Sequence, residues 1–344
     1  MERALSGNER GPADPPFPVG QFVEVDGISL LLHRAGSGGP TVVLLPGAGT
    51  VGLDYFNIQS RAAEFTTSLV YDRAGTGWSQ RIPMPRTAAQ VTDELRRLLH
   101  EADVPRPYLL VGHSLGGLYA RHYAQRFPQE VAGLVLLDPA HEDYAAHMPE
   151  ALNEKRAAGE DRSFLSAAKV LLGRLGMRTM DLAVRSPAAL ALLRRLPIIQ
   201  RYRTLYRRLF TEEMDGWPVD IRDCLVERHV SLPWLWTGMQ EAQNVEQLYD
   251  EVRQAGPIAD VPLIVVCSMA IDAFRRAVSV GETEAQFSAE IEGKRRLYEK
   301  LATTVTCGEV RPVDAGHLNI HYRHPETVLQ AIRDVIGRAR AKAA

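Results

Sequence analysis

The sequence predicts an α/β fold with a mostly parallel central sheet, and three patterns carry that expectation. Continuous apolar runs recur at 41–45, 108–111, 131–137 and 263–267. Runs of this length without polar alternation are what strands buried on both faces require. Between them lie segments with apolar residues at helical spacing, such as Val91, Leu95, Leu98 and Leu99 within 87–102. The third pattern is Gly112-His113-Ser114-Leu115-Gly116, set between the run at 108–111 and a helical segment, read from Leu118 to Phe127, that Pro128 closes.

Taken in order, residues 1–20 are proline-rich and mix charges without an apolar core. They read as a disordered lead-in and not as a signal peptide. Residues 21–34 alternate around Asp26-Gly27, a hairpin signal joining two strands. The strand at 41–45 breaks at Pro46-Gly47-Ala48-Gly49, and a further strand at 68–72 runs into Arg73-Ala74-Gly75-Thr76-Gly77-Trp78-Ser79. No Gly-Lys-Ser/Thr accompanies that Gly-x-Gly, so a phosphate cradle is a weak reading. Thr87 is placed to cap the next helix. After the strand at 131–137 and Asp138-Pro139-Ala140, strand and helix cease to alternate. Residues 144–256 read as helices, with Phe164, Leu165, Ala168, Leu171, Leu172 and Leu175 at helical spacing. The sheet resumes at 263–267, followed by Asp272, a charged amphipathic helix at 285–301, a last strand at 309–313, Gly316-His317 and a closing helix from Thr327.

Composition excludes several classes. A net charge of −2 over 344 residues provides no field for nucleic acid or an anionic surface. The three cysteines, Cys224, Cys267 and Cys307, are widely spaced, which argues against a disulfide framework or a zinc site and fits a reducing cytoplasm. His317, His321 and His324 lack helical metal-ligand spacing, so a metal is not expected. No apolar run has the length of a membrane span.

Strand, Gly-x-Ser-x-Gly and helix in succession resemble the nucleophile elbow of the α/β-hydrolase superfamily. The likeness covers roughly 20–145 and 257–341 and is joined by Asp72, Gly75, Gly77 and Ser79, which match a structural turn of that superfamily. The resemblance implies an α/β-hydrolase fold with helices on both faces of the sheet. It divides the chain into a core at 21–143 and 257–344 and a helical lid or cap at 144–256, inserted after strand six. It also implies a serine hydrolase that cleaves a carboxylic ester, thioester or lactone through an acyl-enzyme, with a small-molecule acyl substrate. An acyltransferase or cyclase, a C–C bond hydrolase and a non-catalytic binder remain as alternatives. Serine at 114 argues against the aspartate nucleophile of epoxide hydrolases and haloalkane dehalogenases.

A serine hydroxyl needs a base in hydrogen-bond reach and a carboxylate to orient that base. Ser114 and His317 fill the first two roles in the chain order this fold uses. Two aspartates compete for the third. Asp138 ends strand six directly, in the Asp-Pro-Ala context that pancreatic-type lipases share, and stands slightly ahead. Asp272 follows strand seven, the commoner place, but outside the usual Gly-x-x-Asp. The loser is expected either to support the site from behind or to fix a loop. The backbone N–H groups of Leu115 and Ala48 are the candidate oxyanion donors, with Pro46 standing where the superfamily usually has histidine. His113 is read as a packing residue. The lid carries Arg194, Arg195, Arg201, Arg203, Arg207 and Arg208, a solvated face or an attraction for acidic substrates. Trp217, Trp234, Trp236 and Met239 are candidates for an apolar pocket wall or for core.

Overall fold

A computed structural model describes residues 19–150, 153, 182–184, 186–279 and 281–343. The lead-in before residue 19 and the helical spacing at 164–175 lie outside the described residues.

Among the described residues, eight strands form one sheet: β1 (Gln21–Val25), β2 (Ile28–Ala35), β3 (Thr41–Leu45), β4 (Ser68–Tyr71), β5 (Tyr108–His113), β6 (Val131–Leu137), β7 (Leu263–Ser268) and β8 (Gly308–Val313). Their spatial order is β1-β2-β4-β3-β5-β6-β7-β8. The β1–β2 and β2–β4 pairs are antiparallel, and every other pair is parallel. Asp26 and Gly27 take φ values of 52° and 78°, the left-handed pair that a two-residue hairpin turn needs.

Helices cover both faces because alternate strand residues point to opposite sides. Val43, Leu45, Leu110, Leu134, Leu136, Leu263 and Val265 pack beneath α2 (Ala88–Glu101), α3 (Leu115–Arg126) and the later helix 284–302. Val42, Leu44, Leu109, Val111, Val135, Leu137, Ile264 and Val266 meet α1 (Phe56–Ala62) and the closing helix. Helix α2 opens with a reciprocal cap: Gln90 N–H donates to Thr87 Oγ1 at 3.0 Å, and Thr87 N–H donates to Gln90 Oε1 at 2.9 Å.

Between β6 and β7 the chain leaves the sheet for α4 (Tyr144–His147), α5 (Pro187–Leu193), α6 (Pro197–Glu213), α7 (Val219–His229), α8 (Leu232–Glu241) and α9 (Val245–Gln254). Met214, Trp217, Ile221, Leu225 and Trp234 of this insertion pack on Val51, Leu53 and Tyr322 of the core. Trp236 instead meets Val184 and the partly buried Met239. The basic run on α6 is partly paired, Arg207 with Glu227 and Arg208 with Glu212, on an exposed face.

After β7 come α10 (Ala273–Val278), α11 (Glu284–Ala302), β8, α12 (Ile320–Arg323) and α13 (Pro325–Ala343). Two helix starts lie more than one residue from the sequence reading. Helix α3 begins at Leu115 and not Leu118, because Ser114 reverses the chain in a single residue. Helix α13 begins at Pro325 and not Thr327, since proline suits a first helical position whose N–H has no partner. Among the described residues, no helix is long and apolar enough to cross a membrane.

Candidate active site

Ser114, Asp138 and His317 stand beyond the carboxyl ends of β5, β6 and β8, strands that lie in one parallel stretch of the sheet. That edge is where open α/β sheets present their side chains to ligands. The local backbone at two of the three is strained. Ser114 has φ 51° and ψ −119°, and Asp138 has φ 43°. Side chains rarely occupy this left-handed region unless the surroundings enforce it.

At Ser114 the enforcement comes from the glycines on either side. A Cβ on Gly116 would lie 2.0 Å from the Leu45 carbonyl oxygen, and one on Gly112 would lie 2.5 Å from the Gly116 carbonyl oxygen. Only glycine lets the strand, the turn and the helix pass this closely. Ser114 N–H donates to Leu137 O at 3.1 Å, and Ala140 N–H donates to Ser114 O at 2.9 Å. The turn after β5 and the turn after β6 therefore hold each other.

The three side chains form one hydrogen-bonded line. His317 Nδ1 lies 2.7 Å from Asp138 Oδ2, and His317 Nε2 lies 3.0 Å from Ser114 Oγ. An ionised carboxylate only accepts, so Nδ1 carries the proton and Nε2 is left to accept from the serine hydroxyl. Asp138 is buried, whereas the His317 side chain is 39% exposed and open to a reactant. Burial alone would raise the Asp138 pKa, but the adjacent Lys294 and His317 outweigh it and hold the carboxyl well below its usual range.

Asp272 is engaged differently. Its Oδ1 accepts from Arg275 N–H at 2.7 Å as the cap of α10, and its Oδ2 accepts from Leu318 N–H at 3.1 Å. It braces the loop carrying His317 without bonding the ring. Of the two competing aspartates, Asp138 is the one brought to the imidazole.

His113 points away from the chemistry, to the rear of the turn. Its Nε2–H donates to the His317 carbonyl at 2.8 Å, and its Nδ1 accepts from Tyr55 Oη at 2.7 Å. Tyr55 Oη accepts in turn from Gly47 N–H at 3.4 Å. One buried imidazole thus joins the elbow, the histidine loop and the loop after β3. Burial first, and then His317, lowers its pKa to about 3, so it stays neutral.

That loop after β3 reaches the serine. A Cβ on Gly47 would meet Ser114 Cβ at 3.2 Å, which puts the neighbouring Ala48 beside the site. Leu115, as the first residue of α3, has an N–H with no carbonyl inside the helix to bond. Buried Arg73 fixes the loop by donating to Pro46 O at 2.7 Å and Gly47 O at 2.9 Å. The same guanidinium pairs with Glu241 Oε1 on α8 at 2.6 Å, and Gly49 N–H donates to Glu241 Oε2 at 2.9 Å. Trp234 Nε1–H adds a bond to Gly49 O at 2.8 Å.

The sequence reading missed Tyr55, Arg73, Glu241 and Lys294. For the last two a signal existed. Lys294 falls on the apolar stripe of α11 with Leu297, Tyr298 and Leu301, and Glu241 lies two helical turns beyond Trp234 on one face of α8. A charge on a buried face requires a partner.

Residues 42–331 match the model of the alpha/beta hydrolase family. The chain belongs to that family. Among curated relatives, YqjL of Bacillus subtilis is 38% identical over 124 residues, 36% of this chain and 49% of that protein. The chain thus spans about half or less of the length of the curated relatives it matches. Its fold is similar to that of an esterase from Thermogutta terrifontis, at 20% identity and TM-score 0.55, covering 93% of this chain and 99% of that one. It is also similar to the enol-lactonase from Burkholderia xenovorans LB400, at 19% identity and TM-score 0.52, covering 92% and 100%.

Proposed function

We propose that this hydrolase is a serine esterase-type enzyme acting on a carboxylic ester, thioester or lactone through an acyl-enzyme. The observation that carries this reading is the unbroken line from Ser114 Oγ through His317 to Asp138. As His317 Nε2 takes its proton, Ser114 Oγ attacks the acyl carbon. The resulting oxyanion accepts hydrogen bonds from the Leu115 and Ala48 N–H groups. Cleavage of the bond to the leaving oxygen or sulfur transfers the proton from His317 to that group. Water then attacks the acyl-enzyme, His317 removes its proton, and the same proton returns to Ser114 Oγ as the acid departs. Asp138 holds the imidazole in the required tautomer and stabilises the imidazolium without accepting its proton. The helical insertion would serve as the lid over an acyl substrate, and the scheme uses no cofactor.

The test is intact mass after exposure to a fluorophosphonate probe, for the wild type and for Ser114→Ala. A single adduct on the wild type and none on the variant is the expected result. Absence of an adduct on the wild type, with the insertion loosened by mild detergent, would overturn the assignment.

A further inference from the structure

Lys294 plays no part in the scheme above, yet it touches the group on which the scheme depends. Its Nζ lies 2.9 Å from Asp138 Oδ2, the same oxygen that accepts from His317 Nδ1. The ammonium also donates to Ser268 Oγ, while Ser268 N–H donates to Asp138 Oδ1 at 3.1 Å. Lys294 is 8% exposed and Asp138 is 2% exposed, so water screens this pair little. Lysine is almost never so buried without a charged partner. Here its partner is the carboxylate that orients the histidine.

The electrostatic consequence concerns the imidazolium. In a serine–histidine–aspartate site, the carboxylate's negative charge favours the protonated ring. With Lys294 on the same oxygen, that charge is already offset. Protonating His317 then places two cations on one carboxylate oxygen, an arrangement that like-charge repulsion disfavours.

We infer that Lys294 is a positioning residue: it offsets the charge of Asp138, so that the carboxylate favours the imidazolium of His317 less than an unpaired aspartate would, and it fixes the carboxylate for the ring. This rests on the reading of Ser114, His317 and Asp138 proposed above. The other titratable groups facing this centre are accounted for. His113 from β5 lies 4.9 Å from the His317 ring, centroid to centroid, and His321 from α12 lies behind it; burial keeps both neutral. Cys267 of β7, its thiol pushed by burial up to about 12, and Tyr298 of α11, which donates to Pro139 O, are neutral as well. Asp272 braces Leu318 N–H from the loop after β7. Among the described residues, Lys294 and His317 are the two side chains hydrogen-bonded to Asp138.

The experiment compares wild type, Lys294→Gln, Lys294→Met and Lys294→Arg by two readouts. One is the pH dependence of the fluorophosphonate labelling rate. The other is the ring titration of His317 followed by NMR in a Ser114→Ala background, which needs no chemistry at the serine. Neutral side chains are expected to move the acid limb and the ring titration upward by about one pH unit or more. Labelling near pH 5 would then slow about tenfold, with the alkaline plateau far less affected. Arginine should leave both near wild type. Methionine strips Asp138 of a donor and is the variant at risk of not folding; glutamine keeps a donor and packs in similar space. A folded Lys294→Gln protein whose acid limb and ring titration coincide with wild type would overturn the inference. If the wild-type serine proves inert to the reagent, the hydrolytic reading fails, and the NMR titration still decides the coupling of Lys294 to His317.

Discussion

The two sides of Ser114 are built from different parts of the chain. On one side, Asp138 and His317 sit at the ends of β6 and β8, with Lys294 reaching in from α11, and all of them belong to the sheet and its packed helices. On the other side, the loop 46–49 is a short irregular segment. It is held by Arg73 after β4 and by Glu241 and Trp234 of α8, within the helical insertion. The first side inherits its geometry from sheet register, which a close-packed core defends. The second is held in part by side chains of the insertion. Disturbing the insertion should therefore act on the loop 46–49 and leave the Asp138–His317 pair in place.

The largest effect expected is on the sheet-built side. Asp138→Asn should lower kcat on an activated ester by about four orders of magnitude, because the ring would lose the tautomer its neighbours impose. Asp272→Asn should cost no more than about tenfold, since it loosens a loop without touching the ring. Steady-state kinetics of both variants checks the pair, and equal small losses would remove Asp138 from its proposed role.

Glu241→Gln probes the other side. It leaves Arg73 buried without its carboxylate, a change that typically costs about 3–5 kcal/mol of stability and would appear as a lower urea midpoint. Freed from Glu241, the loop 46–49 should lose its alignment with Ser114, lowering kcat about tenfold or more, with KM altered less. A loss confined to KM would uncouple α8 from the role proposed for the loop 46–49.

Acid should weaken both sides through buried neutral histidines. The pKa values of His113, His122 and His141 are lowered to about 3, 4 and 4, in each case mainly by burial. The unfolded chain binds these protons near the ordinary value of 6.5, so between that pH and the lowered values it holds more protons than the fold. The associated stability is fully present above the unfolded value and is lost as pH falls through this window. For His113 alone the loss by pH 5 is about 2 kcal/mol. Urea denaturation at pH 7 and pH 5 should show it, and His113→Phe should flatten part of the slope. The smallest effect belongs to Thr87→Ala, remote from both sides. Removing this cap should cost about 1 kcal/mol in denaturant titrations and leave kcat unchanged.

Much of this molecule was legible in one dimension. The apolar runs, the Asp26-Gly27 turn, the Thr87 cap and the glycines around Ser114 each follow from rules that act over a few adjacent residues. Ser114 and His317 could be singled out because a sharp strand-to-helix turn and a Gly-His turn leave local traces. The rest had no such trace. Asp138 follows β6 directly and Asp272 follows β7 by a short loop, both near the histidine loop, and their surroundings in the sequence do not rank them decisively. What separates them is a 2.7 Å contact between residues 179 apart in the chain, set by how β6, β7 and β8 align.

Lys294 and Glu241 mark the same boundary more sharply. The sequence by itself determined that each is a charge on an apolar helix face, and hence that each needs a partner. Only the tertiary structure decided which partners: Asp138 for the lysine, Arg73 and the Gly49 N–H for the glutamate. Periodicity and steric rules are local, so a short stretch of chain can carry them. Hydrogen bonds between distant segments depend on distances of a few tenths of an ångström, and these arise only once the sheet, its helices and the insertion have packed together.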